Sequence, residues 1–147
     1  MKKILKWALP VVILIVIGTA LVIYANREEE KLLRGYQTHA AAVAALESGN
    51  FKSAYELFLQ SSYEFEDPQR KAMATYEAAN TGWLGQVADY NTLVGLYQQA
   101  IRYRRGYFEA SFNLEYLYWL KAHAPEQLPQ PEVGPEPGGE ELPSGDV

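Results

Sequence analysis

The sequence predicts an all-α chain with a single N-terminal transmembrane helix, a small domain of antiparallel helical hairpins, and an acidic tail rich in Pro and Gly. Three observations predict it. The run Trp7–Tyr24, WALPVVILIVIGTALVIY, holds eighteen residues without a charge. Three later segments place apolar and small residues at helical spacing. The stretches between those segments carry the Gly, Pro, Asn and Asp that end or start helices.

The anchor comes first and occupies residues 1–26. As a helix, eighteen residues cover ~27 Å, close to the hydrocarbon core of a bilayer. Trp7 and Tyr24 stand at the two ends, where amphipathic rings favour the lipid–water interface. Pro10 falls in the first turn, where its missing N–H costs little. A cleaved signal peptide would share the basic start (Lys2, Lys3, Lys6). The run is longer than the usual ~7–15 residues, however, and its best cleavage pattern, Gly18-Thr19-Ala20, lies inside it. On the far side Arg27, Lys31 and Arg34 are diluted by Glu28, Glu29 and Glu30, which count for little in the positive-inside rule. The charge bias therefore places a short N-terminus in the cytoplasm and the remainder outside. For a bacterium this means a single-pass protein of the inner membrane with a periplasmic domain.

Residues 27–34 read as a charged continuation of the anchor helix, and 35–122 as the helical domain. Ala54, Leu57, Phe58 and Ser61 share one face just after Gly49-Asn50. Met73, Tyr76, Asn80 and Trp83 repeat the spacing, and so do Leu93, Leu96, Tyr97, Ala100 and Ile101. Breaks fall at Ser48-Gly49-Asn50, Asp67-Pro68, Gly85 to Tyr90 and Arg105-Gly106. The tail, 123–147, holds six of the eight prolines and no aromatic residue. It cannot bury enough apolar surface to offset its ordering entropy, so it is expected to be disordered.

Gly49-Asn50-Phe51-x-x-Ala54-x-x-x-Phe58-x-x-Ser61 resembles the second half of a tetratricopeptide repeat. Tyr97-Gln98-Gln99-Ala100-Ile101 resembles the end of the next such helix. Ala74-Thr75-Tyr76-Glu77-Ala78-Ala79-Asn80 and Ala110-Ser111-Phe112-Asn113-Leu114-Glu115 resemble first helices. The resemblance covers residues 35–121, as two repeats and a closing helix, and a generic bundle of α-hairpins is the alternative. The loop at Gln86–Asn91 is longer than the repeat pattern, and no Pro ends the second repeat. A short anchor, degenerate repeats, the Phe-Asn-Leu-Glu closing helix and a loose tail together resemble the small membrane-anchored repeat proteins of bacterial MoxR operons, some of which serve methanol dehydrogenase maturation. That resemblance implies von Willebrand factor A domain proteins and a MoxR-type AAA+ ATPase system as partners.

Reactive chemistry is scarce. There is no cysteine, hence no disulfide, thiol chemistry or Cys-based zinc site. His39 and His123 lack carboxylates or histidines at the spacing of a helical metal pair and read as surface residues. Glu28, Glu29 and Glu30 read as a solvated helix face. Gly82-Trp83-Leu84-Gly85 lacks the Lys-Ser/Thr of a phosphate loop. The net charge of −5 comes from the tail, so no basic footprint for nucleic acid exists. No catalytic residue, metal or cofactor is expected.

Two features suggest contact surfaces. In the closing helix, Phe108, Phe112, Tyr116 and Trp119 form one stripe. Ala110, Leu114, Leu117 and Lys121 form another, with Tyr118 and Leu120 between. One stripe suffices to pack on the preceding repeat, so the aromatic one is either a second packing surface, a lipid contact or a docking site. Arg102, Arg104 and Arg105 end a helix, where cations complement its dipole. As guanidinium forks they also suit an acidic peptide or lipid headgroup, including the chain's own tail. The expected function is a membrane-anchored protein–protein interaction module, an assembly or maturation factor. Tyr76, Asn80 and Trp83 on a concave face, or Phe112, Tyr116, Tyr118 and Trp119, would hold the partner. The alternatives are a translocon-associated periplasmic holdase and a structural subunit of a larger membrane complex.

Overall fold

The computed structural model describes the backbone of residues 2–130, with the side chains of 14–130 apart from Glu28. Most of the expected tail, 131–147, lies outside the described residues, as do the side chains of 2–13 in the expected anchor. The described chain is all-helical: α1 (Lys2–Glu47), α2 (Phe51–Glu64), α3 (Pro68–Leu84), α4 (Tyr90–Tyr103), α5 (Phe108–His123) and a 3-10 turn (Pro125–Gln127). Each helix packs on its sequence neighbour, the sequential stacking of a helical repeat array.

The breaks are built as their residues dictate. Gly49 takes φ 77°, a left-handed position that glycine occupies without a Cβ penalty. Its neighbour Asn50 donates its N–H to the Ala45 carbonyl at 2.9 Å, closing α1. Asn50 then caps α2 by accepting from the Ser53 N–H at 3.2 Å. Asp67, followed by Pro68 in the first turn, caps α3 through the Arg70 N–H at 3.0 Å. Asp89 caps α4 through the Thr92 N–H at 2.7 Å. Gly106, at φ 76°, turns the chain into α5.

α1 is 46 residues long, about 69 Å. Every described side chain from Leu14 to Arg34 is exposed, and burial begins at Gly35. Only its last turns, through Ala42, belong to the domain; the rest projects. Among the described residues no helix is long and apolar enough to cross a membrane. Residues 7–13 of the expected span lie outside the described side chains.

α3 is the centre of the domain, sandwiched between α2 and α4. Its buried residues are small: Ala72, Ala74, Thr75, Ala78, Ala79, Thr81 and Gly82. Small side chains let two neighbours approach one helix at once. Phe58 fills the α1–α2–α3 junction among Ala42, Ala54 and Ala78. Leu93, Leu96, Tyr97, Ala100, Ala110 and Leu117 join α4 and α5 to Ala72 and Ala79 of α3. The domain also runs on past residue 122. Ala124 and Pro129 are buried, and Leu128 packs against the main core cluster. The first residues of the expected disordered tail therefore belong to the fold.

The start of α2 lies hard against the end of α3. A Cβ on Gly85 would meet Phe51 Cβ at 2.2 Å. Because that carbon is fixed to the α2 backbone, a whole helix would have to shift. Gly85→Ala is expected to cost about 3 kcal/mol. Gly95 in α4 has nothing within 4 Å of such a Cβ, so Gly95→Ala is expected to stabilise by about 0.5–1 kcal/mol. Thermal melts of the two variants should move in opposite directions.

Candidate partner-binding face

With its flanks spent on α2 and α4, α3 has one stripe left: Met73, Tyr76, Glu77, Asn80, Trp83 and Leu84. The same side of the domain receives Tyr36 and His39 from α1 and Asn113 and Tyr116 from α5. Alternate helices thus line one face, and it holds two grooves.

The first groove, of about 360 Å³, is lined by Asn80, Trp83, Leu84, Tyr97, Asn113 and Tyr116. Its floor is a polar network linking three helices. The Tyr97 hydroxyl donates to Asn80 Oδ1 at 2.7 Å, and Asn113 Nδ2 donates to the same oxygen at 3.0 Å. Asn113 Nδ2 also approaches the Tyr76 hydroxyl at 3.4 Å. Burial pushes the Tyr97 phenol up to about 12, so it remains a donor at any physiological pH. Asn80 Nδ2 and Asn113 Oδ1 have no hydrogen bond among the described residues, leaving one amide donor and one amide acceptor on the groove floor.

From this groove an aromatic strip runs out along α5. The Trp83 and Tyr116 rings lie 6.2 Å apart. Tyr116 and Trp119 stack at 6.1 Å and 7°, and Trp119 and His123 at 5.0 Å and 15°. Phe108 and Phe112 stack further toward the helix start, at 6.5 Å. Phe112 is 60 % exposed, Trp119 52 % and Tyr116 45 %. The helix packs through Ala110, Leu117 and Leu120 instead. Tyr118 stands apart from the strip: its hydroxyl accepts from Gln98 Nε2 of α4 at 3.1 Å.

The second groove, of about 510 Å³, lies toward α1. Tyr36, His39, Phe65, Asp67, Gln69, Arg70, Met73, Arg104 and Tyr107 line it. The Arg70 guanidinium sits 4.7 Å over the Tyr36 ring and that of Arg104 4.8 Å over Tyr107. Of the three arginines singled out in the sequence, Arg104 lines this groove. Arg102 and Arg105 are exposed beside it.

His39 is not the surface residue its lone position suggested. Its Nε2 lies 3.2 Å from Glu77 Oε2, and only 16 % of its side chain is exposed. The Phe58 ring meets it edge-on and the Phe65 ring at a tilt. Nδ1 of His39 and Oε2 of Glu77 are buried without a well-formed hydrogen bond. Burial pushes the Glu77 carboxyl up to about 7 and the His39 imidazole down. Burial thus disfavours the charged form of both partners. His123, by contrast, is exposed.

The Glu77 shift fixes a pH dependence. Folding raises this acid above its ordinary 4.5, so the native state holds the proton more tightly. Stability drawn from that proton falls as pH rises from about 4.5 to about 7, and stays low above. Glu77→Gln, which is neutral throughout, should stabilise the domain at pH 8. The expected gain is about 1 kcal/mol, after discounting for water at the carboxyl's open edge. At pH 4.5 the gain should vanish, and paired melts at the two pH values check it.

Among the described residues no group of three or more His, Asp or Glu is placed to hold a metal ion. No family model, characterised protein or solved structure matches the chain. The geometry defines an all-helical chain of consecutively packed hairpins, repeat-like in its stacking, with one grooved aromatic face.

Proposed function

We propose that the chain is a membrane-anchored protein–protein interaction module of tetratricopeptide type, whose grooved face holds a segment of a partner protein. The observation that carries the reading is the strip of half-buried Trp83 and exposed Tyr116 and Trp119, continuous with a groove whose floor offers a free amide donor and acceptor. Tyr and Trp are rigid, amphipathic anchors that release much water for little lost entropy. The Asn80 and Asn113 amides are of the kind that pairs with backbone groups of an extended peptide.

The anchor half of the proposal draws on the uncharged run Trp7–Tyr24 and on the projecting α1, where Leu14, Ile15, Leu21 and Val22 are each more than half exposed. A periplasmic domain tethered in the membrane plane gains effective concentration for other membrane proteins. By resemblance, the partners are von Willebrand factor A domain proteins of a MoxR-type ATPase system, and the role is assembly or maturation.

The sequence-tolerant character of aromatic stacking favours one rival, a holdase for unfolded chains. Co-purification of the tagged full-length protein in mild detergent separates the two. One partner at fixed stoichiometry is the expected result. A smear of unrelated clients would overturn the assembly reading in favour of the holdase.

A further inference from the structure

The groove beside α1 differs in kind from the aromatic one. Arg70 and Arg104 reach it from the first turn of α3 and the end of α4, each guanidinium resting on a tyrosine ring. Stacking fixes the long side chains while leaving their N–H edges free, so little rotamer entropy remains to be lost on binding an anion. Neither makes an ion pair with a described residue. The groove's lining sets two guanidinium groups against one carboxyl, that of Asp67. Asp67 is engaged in capping α3, and burial favours the protonated form of Glu77.

The sequence supplies an acidic strand in the same chain. The segment 131–147 carries Glu132, Glu136, Glu140, Glu141 and Asp146 and no Lys or Arg. Its root is fixed, because Pro129 is buried and Leu128 packs against the core. Seventeen residues follow Gln130, reaching up to roughly 55 Å when extended. The domain's helices have only 14 to 17 residues, about 21–26 Å, so the groove is within range. A tether of that length holds its end at roughly millimolar effective concentration, enough to populate a weak electrostatic contact. Prolines suit such a strand: extended backbone costs them little entropy.

We propose that residues 131–147 dock in the arginine-lined groove between α1, α3 and the end of α4, where their carboxylates meet Arg70 and Arg104. On the reading above, that the grooved face holds partner segments, the tail occupies only the arginine-lined part of that face, where an acidic partner segment reaching past the first groove must displace it. The first groove, which lacks arginines, stays open.

The test uses full-length protein in mild detergent and a fluorescein-labelled peptide of residues 131–147, followed by anisotropy at low salt. One chain is unaltered; the other carries Glu132→Gln, Glu136→Gln, Glu140→Gln and Glu141→Gln, which removes the intramolecular competitor. The peptide is expected to bind the tail-neutralised chain about tenfold more tightly than the unaltered one. That affinity should fall at least about tenfold in 0.5 M salt, and similarly on adding Arg70→Gln and Arg104→Gln. Arg104 is exposed and Arg70 half-buried, and far-ultraviolet circular dichroism checks that the variant is folded. Equal affinity for both chains would overturn the proposal, as would no binding to either. Binding that survives the arginine substitutions would place the peptide elsewhere, on the α5 strip, and would overturn it too. No partner protein enters the titration, so its failure leaves the co-purification result standing, and the reverse holds.

Discussion

Phe58→Ala is expected to lower the stability of the domain by about 3–5 kcal/mol, the largest loss from any single truncation here. The ring is 1 % exposed and meets all three N-terminal helices of the domain, at Ala42, Ala54 and Ala78. Alanines cannot swing in to fill the space, so the void closes only if helices move. His39, edge-on to the ring at 5.3 Å, would lose its apolar wall and drag water toward Glu77. Typical domains have about 5–15 kcal/mol in total, so the variant should sit near its unfolding threshold. Urea denaturation of the full-length chain measures it. A loss below about 1 kcal/mol would mean that α1 is not held by this ring.

The second large effect is on binding and should leave stability alone. Tyr116→Ala combined with Trp119→Ala is expected to weaken capture of the co-purifying partner by at least about 2 kcal/mol, roughly 30-fold. Both rings are about half exposed and α5 packs through other residues, so the melting temperature should hardly change. Tyr63→Ala is the control. Tyr63 is 76 % exposed on α2 and lines neither of the two grooves described, and its loss should affect neither property. Were the double variant to unfold, Trp119 and Tyr116 would be packing residues and the docking role would fall.

Much of the fold was legible because its punctuation is local. Asn50, Asp67 and Asp89 each supply a side-chain cap within three residues of the chain they begin, and Gly49 supplies a left-handed turn. α3 was read as a helix, and its larger residues were read as a concave face, but the stripes through which it packs were not read. Met73, Tyr76, Asn80 and Trp83 drew attention by size; Asn80 and Trp83 line the first groove and Met73 the second. The packing runs through Ala72, Thr75, Ala79 and Gly82, since a helix clasped on two sides needs small residues that hydrophobic periodicity undervalues. The end of the domain was misplaced for a related reason: Leu128 and Pro129 sit in a proline-rich stretch, yet each finds a surface already made by other helices.

The aromatic strip on α5 was legible for the same local reason as the caps. Phe112, Tyr116 and Trp119 follow helical spacing, and the sequence left open only which stripe faced inward. The arginine groove was not. Tyr36, Arg70 and Arg104 lie on three helices, and only the order of packing brings them together. The same holds for His39 and Glu77, whose pairing across α1 and α3 leaves no trace in either helix's own pattern. Arg102, Arg104 and Arg105 were grouped by adjacency in sequence, but of the three it is Arg104 that lines the groove.

The claim that the α1–α3–α5 face is the docking surface is tested most directly by site-specific photo-cross-linking in the co-purified complex. A photoreactive phenylalanine is placed in turn at Tyr116, at Leu84 and at Tyr63. The account predicts cross-links to the partner from Tyr116 and Leu84 and none from Tyr63. Cross-links from Tyr63 alone would place the partner on α2 and contradict it.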